Sequence, residues 1–465
     1  MSVATTASRD VAARERRVVI VGGGLAGITA AFDCARDGAK VTLLESRPRL
    51  GGAAYSVPRN GLQVDNGQHV FLRCCTAYRD LLARLGALHA VTLQPRLEIP
   101  VLSARRARVW LRRSGLPAPL HLAGALARYP FLGIGERIAA ARAMSALSRV
   151  DRDDPAADVR GFGDWLREHG QSPAAIEHLW GLIARPTLNL VPDDASLAQA
   201  AQVFQVGLLA SASAGDIGWS RVPLSEIHDA AAQRALAQAG VDVRLRWRVS
   251  AIVPDADGGF RIEGSGMPTV RAGVMIVAVP HDRAAALLPE AAIEGERLFR
   301  LGASPIVSLH IVYDRRVLEL PFAAAVNSPV QYLFDRTASA GMAHGQYLAI
   351  SLSAAEVESR MTIEELRQRF VSALAELLPA ARDAQVEQFF VTREHAATFR
   401  AAPGARALRP GPRTRLPGLL LAGSWTDTGW PATMEGAVRS GHLAAGEARQ
   451  AMLVGARSAT LAVAR

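Results

Sequence analysis

The sequence predicts an α/β protein whose main domain is a doubly wound, Rossmann-like parallel sheet, and three observations predict it. A short apolar run, Arg17-Val18-Val19-Ile20-Val21, leads straight into Gly22-Gly23-Gly24-Leu25-Ala26-Gly27. A second run, Lys40-Val41-Thr42-Leu43-Leu44, ends on an acid, Glu45. Far downstream, Gly418-Leu419-Leu420-Leu421-Ala422-Gly423 repeats the pattern of a strand meeting a glycine. Continuous apolar runs of this length suit strands buried on both faces, as in a parallel sheet.

The first glycine run fits G-x-G-x-x-G. Gly22 permits a tight turn, Gly24 lets a pyrophosphate approach the backbone, and Gly27 lets the following helix lie close to the sheet. Residues 26–37 read as that helix, with Gly38 placed to end it, and its first amides face a diphosphate. Glu45 lies 21 residues past Gly24, where an acid binds a ribose hydroxyl pair and disfavours a 2′-phosphate. The glycines alone are a weak signal; strand, glycines, helix and acid in this order are specific. Ser46-Arg47-Pro48-Arg49-Leu50-Gly51-Gly52 then describes either a plain turn or a second phosphate contact, with glycine amides turned inward and arginine supplying charge.

Bulk properties bound the rest. A chain of 465 residues suggests two or three domains. With 49% apolar and 21% charged residues it is ordinary globular protein, which argues against disorder and coiled coil. The absence of an eighteen-residue uncharged apolar stretch argues against a transmembrane helix. Residues 1–16 lack an apolar core and read as a flexible leader rather than a signal peptide. Cys34, Cys74 and Cys75 form neither a disulfide framework nor a zinc pattern, so a reducing cytoplasmic setting and no metal are expected.

The formal charge is +10, and Arg105, Arg106, Arg108, Arg112, Arg113, Arg128, Arg137, Arg142 and Arg149 concentrate part of it. With Leu111, Leu122, Phe131, Ile134 and Ile138 among them, anionic lipid fits better than nucleic acid, and no nucleic-acid partner is expected. A solvated arginine-rich face over core residues describes the same stretch equally well.

In the middle of the chain, Gly61 to Phe71 reads as a strand entering a turn at Asn66-Gly67. Asp65, Gln68 and His69 crowd beside Val70 and Phe71, as in a loop folded over a bound group. His69 is either a structural histidine or a proton carrier. A helix is expected at 76–86, and a mainly helical, irregular region from about 95 to 215. Trp165, Trp180, Phe204 and Leu208 there either line an apolar tunnel or fill a core. Strands resume at 241–245, 249–253, 260–262 and 272–278, after a helix at 225–239. Ile306–Val312, Tyr347–Leu352 and Val386–Phe390, with a helix at 363–378, suit the sheet of an α+β domain. Residues 17–95, 220–298 and 408–450 are assigned to a discontinuous dinucleotide-binding domain. Residues 96–219 and 299–407 form the interleaved substrate domain.

These segments resemble the FAD-dependent amine oxidase and phytoene desaturase superfamily. Ser46–Gly52 resembles its second dinucleotide-contact motif, and the D-x-G-x-H of Asp65, Gly67 and His69 a segment placed close to the flavin ring. Two longer strings, Asp65-Asn66-Gly67-Gln68-His69-Val70 and Trp425-Thr426-Asp427-Thr428-Gly429-Trp430-Pro431-Ala432-Thr433-Met434-Glu435-Gly436-Ala437-Val438, resemble the hydroxysqualene dehydroxylase family of bacterial hopanoid synthesis. The likeness runs over roughly residues 17–450. Ser424 departs from it by standing where an acid is common, leaving Asp427 as the clearer flavin-side acid.

The resemblance implies an amine-oxidase-like fold with FAD as cofactor. The implied FAD contacts are Gly22, Gly24, Leu25, Ala26, Gly27, Glu45, Ser46, Arg47, Arg49, Gly51, Gly52, Gln68, His69, Val249, Gly423, Asp427, Thr433, Met434 and Glu435. It further implies reduction of hydroxysqualene to squalene and water by hydride from reduced FAD, a neutral polyisoprenoid substrate, and functional coupling to squalene-synthase-like enzymes. A bacterial, cytoplasmic protein held peripherally on the inner membrane follows. His69 is the first choice for proton donor or its organiser, with Asp65 or a held water as the alternative. The competing readings are a carotenoid desaturase running the flavin the other way, an amine oxidase, for whose aromatic cage the tail offers only Trp425 and Trp430, and a non-catalytic flavin scaffold.

Overall fold

The computed structural model describes residues 17–255 and 259–463. The leader expected at residues 1–16 lies outside the described residues. Among these, β1 (Arg17–Val21), β2 (Lys40–Leu44), β3 (Asp242–Arg244), β4 (Val274–Val277) and β5 (Leu419–Leu421) form one sheet in the order β3-β2-β1-β4-β5. Every pairing in it is parallel. Val18, Val19 and Ile20 are fully buried in the central strand, which explains its unbroken apolar run. β2 lies on one side of β1 and β4 on the other, so the chain reverses its winding there. The crevice beyond the carboxyl ends of such strands is where this architecture binds ligands.

Helix α1 (Leu25–Arg36) follows β1 directly. Helices α2 (Ile134–Leu147) and α3 (Leu197–Phe204) belong to the helical middle region, and α4 (Met434–Val463) follows the C-terminal glycine segment. α4 packs on α1 so closely that a Cβ on Gly441 would lie 2.4 Å from the Ala26 carbonyl oxygen. The small residues of α4 therefore serve helix packing along this contact.

A second sheet has seven strands, in the order Val386–Phe399, Ala303–Tyr313, Gln346–Ser353, Tyr332–Asp335, Phe322–Ala325, Glu98–Ser103 and Arg106–Arg112. Its last two strands correct the expectation that residues from 95 onward are helical and irregular. Pro100 obscures the strand pattern, yet it sits just before the residues, Val101 and Leu102, that pair with Ala324 and Ala325. A proline is tolerated where the ladder does not require its missing N–H.

The tunnel-or-core question for the aromatic residues is decided as core. Trp165, Trp180, Phe204 and Leu208 are all buried in one hydrophobic cluster, and Trp180 meets Phe204 edge-on at 5.1 Å between centroids.

Candidate active site

The glycine turn after β1 is built on contacts that exclude a side chain. Gly22 has φ +109°, and a Cβ there would lie 2.4 Å from the Ala278 carbonyl oxygen; on Gly27 it would come within 1.9 Å of the Gly22 oxygen. Gly24 differs, since its Cβ would meet only the Gly52 Cα at 3.7 Å. Gly52, at φ +57°, could not carry a Cβ without approaching that Gly24 Cα to 2.7 Å. The two glycine stretches thus face each other backbone to backbone, tied by the Gly51 N–H donating to the Gly23 oxygen at 2.9 Å. Leu25 and Ala26 are buried side chains at the start of α1, so they face this gap through their amides. Helix-start amides lack intrahelical partners, and here they border a cradle free of side chains, which fits a diphosphate.

Glu45 is 7% exposed at the end of β2. Its Oε2 accepts from the Gly23 N–H at 2.7 Å, and Oε1 accepts from the Arg47 N–H at 2.7 Å and the Ser46 hydroxyl at 3.2 Å. A carboxylate offers about four lone-pair directions, so one remains for a ribose hydroxyl. The Trp247 N–H donates to the Glu45 carbonyl at 2.8 Å, which brings the strand beginning at buried Val249 beside the same corner. Arg49 lies over the Tyr55 ring, its Cζ 3.4 Å from the centroid, and donates to the Leu50 and Gly52 carbonyls. Glu45→Ala is therefore expected to weaken FAD binding about ten- to hundred-fold, the range for a hydrogen bond to a charged group. At saturating FAD it should leave the hydride step near wild type. Cofactor titration with single-turnover kinetics checks this; normal affinity with a lost chemical step would show that Glu45 acts elsewhere.

The 65–69 loop is anchored by a buried ion pair. Asp65 Oδ1 accepts from the Ser56 hydroxyl at 2.6 Å and the Leu224 N–H at 3.0 Å, while Oδ2 accepts from Arg336 at 2.8 Å. Arg336 also donates to the Ser220 carbonyl at 2.8 Å. With both oxygens engaged as acceptors, Asp65 holds the loop; the expectation that it passes a proton is corrected on that ground. His69 Nδ1 sits 3.1 Å from the Gly67 carbonyl, so it carries the donated proton and leaves Nε2 as the free ring atom. Burial holds the His69 pKa below its ordinary value, against the opposing pull of the Gly67 carbonyl and of Asp65 and Glu394. The Gln68 Nε2 is buried without a partner among the described residues, at a cavity of about 10 Å³ lined by polar Asp65, His69, Ser220 and Arg336 together with Val70, Trp219, Leu224 and Phe334. An unmet buried amide here fits a polar group of a bound cofactor or substrate.

The C-terminal segment is held by a residue the sequence did not single out. Arg409, 3% exposed, donates to the carbonyls of Ser424, Trp425, Thr426 and Trp430, gathering the loop around one guanidinium. Burial lowers its pKa to about 10, which leaves it charged at neutral pH. Gly423 has φ +141° and donates to the Ser440 hydroxyl at 2.8 Å. The Thr433 hydroxyl accepts from the Gly436 N–H at 3.1 Å, so Thr433 and Met434 stand at the amide end of α4. Such a helix start favours negative charge on a neighbouring group.

The expectation for Glu435 changes. Glu435, 1% exposed, accepts from the Tyr78 N–H at 2.8 Å and the Ala77 N–H at 3.2 Å, capping helix Thr76–Arg84, so its side chain is committed to the fold rather than to FAD. Asp427 accepts from the Gly429 N–H at 3.2 Å and faces Arg406 at 3.5 Å, and Arg406 lines a second cavity. That cavity, of about 350 Å³, lies between Ala198, Gln199, Gln202 and Val206 on one side and Thr428, Gly429 and Trp430 on the other. Gln199 and Gln202, three apart on an otherwise apolar helix, were the only sequence signal of it.

A family model described as flavin containing amine oxidoreductase matches residues 25–449. A hydroxysqualene dehydroxylase of Rhodopseudomonas palustris is 28% identical, over 92% of this chain and 97% of its own length. A zeta-carotene desaturase of a Synechocystis species is 25% identical, over 92% and 96%. Among solved structures, the cyclohexylamine oxidase of Brevibacterium oxydans superposes with a TM-score of 0.69 at 20% identity, covering 93% of this chain and 98% of that one. At that identity the superposition speaks to the fold alone, and the fold is the same.

Proposed function

Because this chain belongs to the flavin-containing amine oxidoreductase family and is a FAD-dependent oxidoreductase, we propose that it removes the hydroxyl group of hydroxysqualene reductively. The balanced reaction is an allylic alcohol plus reduced FAD giving the hydrocarbon squalene, water and oxidised FAD. The glycine cradle and Glu45 would hold the dinucleotide, the Thr433–Met434 helix start the flavin end, and bound reduced FAD supplies the hydride. His69, pinned through Nδ1, is oriented to hold or pass a proton at Nε2 toward the leaving oxygen. Trp219, Leu224 and Phe334 would keep water from the cationic carbon that results.

The observation that carries this reading is the His69–Gln68 pair, a pinned imidazole and an unmet amide that meet at one small cavity. Breaking a C–O bond calls for a proton delivered to oxygen, whereas desaturation of a pure hydrocarbon offers no oxygen to protonate. The relatives named hydroxysqualene dehydroxylase lend the same direction. An amine oxidase is less well supported: Trp425 is buried with its Nε1 donating to the Val279 carbonyl at 2.8 Å, and Trp430 lies against Arg439. Neither lines the cavity at His69. The test is anaerobic incubation of the photoreduced, FAD-loaded protein with hydroxysqualene, products identified by mass. Squalene and oxidised flavin in equal amounts are expected. No squalene, with carotene desaturated by the oxidised protein instead, replaces this reading with the desaturase.

The substrate's insolubility places the protein, in our proposal, on a membrane surface. No helix among the described residues is long and apolar enough to cross one. Ile134 and Ile138, 76% and 50% exposed, share the outer face of α2, and Leu116 and Leu120, 52% and 57% exposed, precede it. Exposed Arg128 and Arg142 flank them. Arg113, by contrast, is bound to the fully buried carboxylate of Asp216, and Arg112 lies on Trp110 beside Glu98. Those two serve the fold. Arginine near an anionic leaflet contributes about 1 kcal/mol. Co-sedimentation with liposomes should therefore rise with anionic lipid, fall with salt, and drop in an I134E/I138E/R128E protein that keeps its FAD. Equal, negligible sedimentation with anionic and neutral vesicles overturns the assignment.

A further inference from the structure

We propose that the 350 Å³ cavity beside Thr428–Trp430 is a binding site for a neutral, apolar molecule bearing a hydroxyl group, with Gln199 as the residue that recognises the oxygen. This goes beyond the reaction assigned above, which uses the separate cavity at His69. Gln199 is 3% exposed on α3 and lines the larger cavity, and its side-chain oxygen has no hydrogen-bond partner among the described residues. A buried amide in that condition lacks the compensation that polar burial requires, unless a ligand provides it. A hydroxyl, both donor and acceptor, satisfies the amide in either of its two orientations.

The charges around the cavity argue for a neutral ligand. Arg406 is paired with Asp153 at 2.8 Å and with Asp427 at 3.5 Å, and donates to the Arg152 carbonyl at 2.7 Å. Arg152 in turn donates to the Gln202 amide oxygen. Arg406 thus already faces two carboxylates and Arg152 already has an amide partner, so both cations at the cavity are engaged before any ligand arrives. Ala198, Val206 and the face of Trp430 supply apolar wall for the rest of the molecule. The cavity touches the loop that Arg409 holds, one residue before Pro431 and three before Thr433 at the start of α4.

Two sources share this chemistry. One is the polyisoprenoid alcohol itself, which would give Gln199, rather than His69, the substrate oxygen. The other is a hydroquinone, which could pass two electrons and two protons to FAD and leave as the quinone, supplying the reduced cofactor the reaction consumes.

Calorimetric titration of the FAD-loaded protein distinguishes them, with farnesol against farnesene in one arm and, anaerobically, 1,4-naphthohydroquinone against naphthalene in the other. The wild type should prefer the hydroxylated member of one pair about ten-fold, the size of one hydrogen bond to a buried group. Gln199→Leu, close to the native volume, should erase that preference while FAD content stays at wild type. Val206→Trp should block both members by filling the cavity, and it tests the site independently should the leucine variant fail to fold. A farnesol preference marks a substrate subsite, and a hydroquinone preference a reductant subsite. Absence of a hydroxyl preference in both wild-type arms, its persistence in Gln199→Leu, or loss of FAD from that variant overturns the proposal. Squalene formation is read in a separate experiment, so the site can stand or fall independently of the dehydroxylation reading.

Discussion

Replacing Gly24 with valine is expected to give a folded protein that purifies without flavin. The three motif glycines differ in what a side chain would meet. At Gly22 and Gly27 a Cβ would be forced to 2.4 Å and 1.9 Å from backbone oxygens, so substitution there should cost the fold itself. Gly24 has φ −76° and ψ 176°, a conformation open to any residue, and its Cβ would touch only the Gly52 Cα at 3.7 Å. Valine adds two branches directed into the gap between the glycine stretches, the space required by the pyrophosphate. It also replaces the helix N-cap, a change typically worth about 1 kcal/mol or less when glycine is lost. The expected result is loss of the visible flavin absorbance with a modestly lowered Tm. Full FAD occupancy in Gly24→Val would move the diphosphate away from this turn.

Replacing His69 with alanine should slow flavin reoxidation by hydroxysqualene by about 10²–10⁴-fold, the range for one positioned proton-transfer group, while FAD stays bound. The pH dependence carries a definite sign. Burial sets the His69 pKa below its ordinary value, so at neutral pH the ring is mostly neutral, and only the protonated minority can donate. The wild-type single-turnover rate should therefore rise as pH falls through the acidic side of neutrality and level off below the lowered pKa. His69→Ala should lose that rise. Stopped-flow measurement of flavin absorbance across pH checks both points. A rate and pH profile unchanged from wild type would leave His69 a structural residue.

Much of the cofactor region was legible because its signals are local. A tight turn with φ +109° and a helix start that admits no Cβ demand glycine whatever the rest of the protein does, so Gly22 and Gly27 announce themselves in sequence. Glu45 is legible for a related reason: the strand it ends is short, buried and fixed in register beside β1. The same locality explains the C-terminal strand and Gly423. Where a residue's partner lies far along the chain, the local pattern was silent or misleading. Pro100 and the neighbouring arginines concealed a hairpin that exists because Val101 finds Ala324.

Polar residues show the division most clearly. Nothing adjacent to Asp65 reveals that Arg336 will neutralise it, nor does the sequence around Glu435 show that it will cap a helix more than 350 residues earlier. Arg409 and Gln199 acquire their meaning only when the C-terminal loop and α3 come together. The α/β class and the dinucleotide turn could be read from sequence because backbone sterics and strand burial act over a few consecutive residues, while the family rested on the likeness of two longer strings. The tertiary structure decided which acids anchor, which arginines are spoken for and which amides are left facing a cavity. A charge or hydrogen bond is satisfied by whatever the fold places within about 3 Å, and that neighbour is chosen by packing across the whole chain.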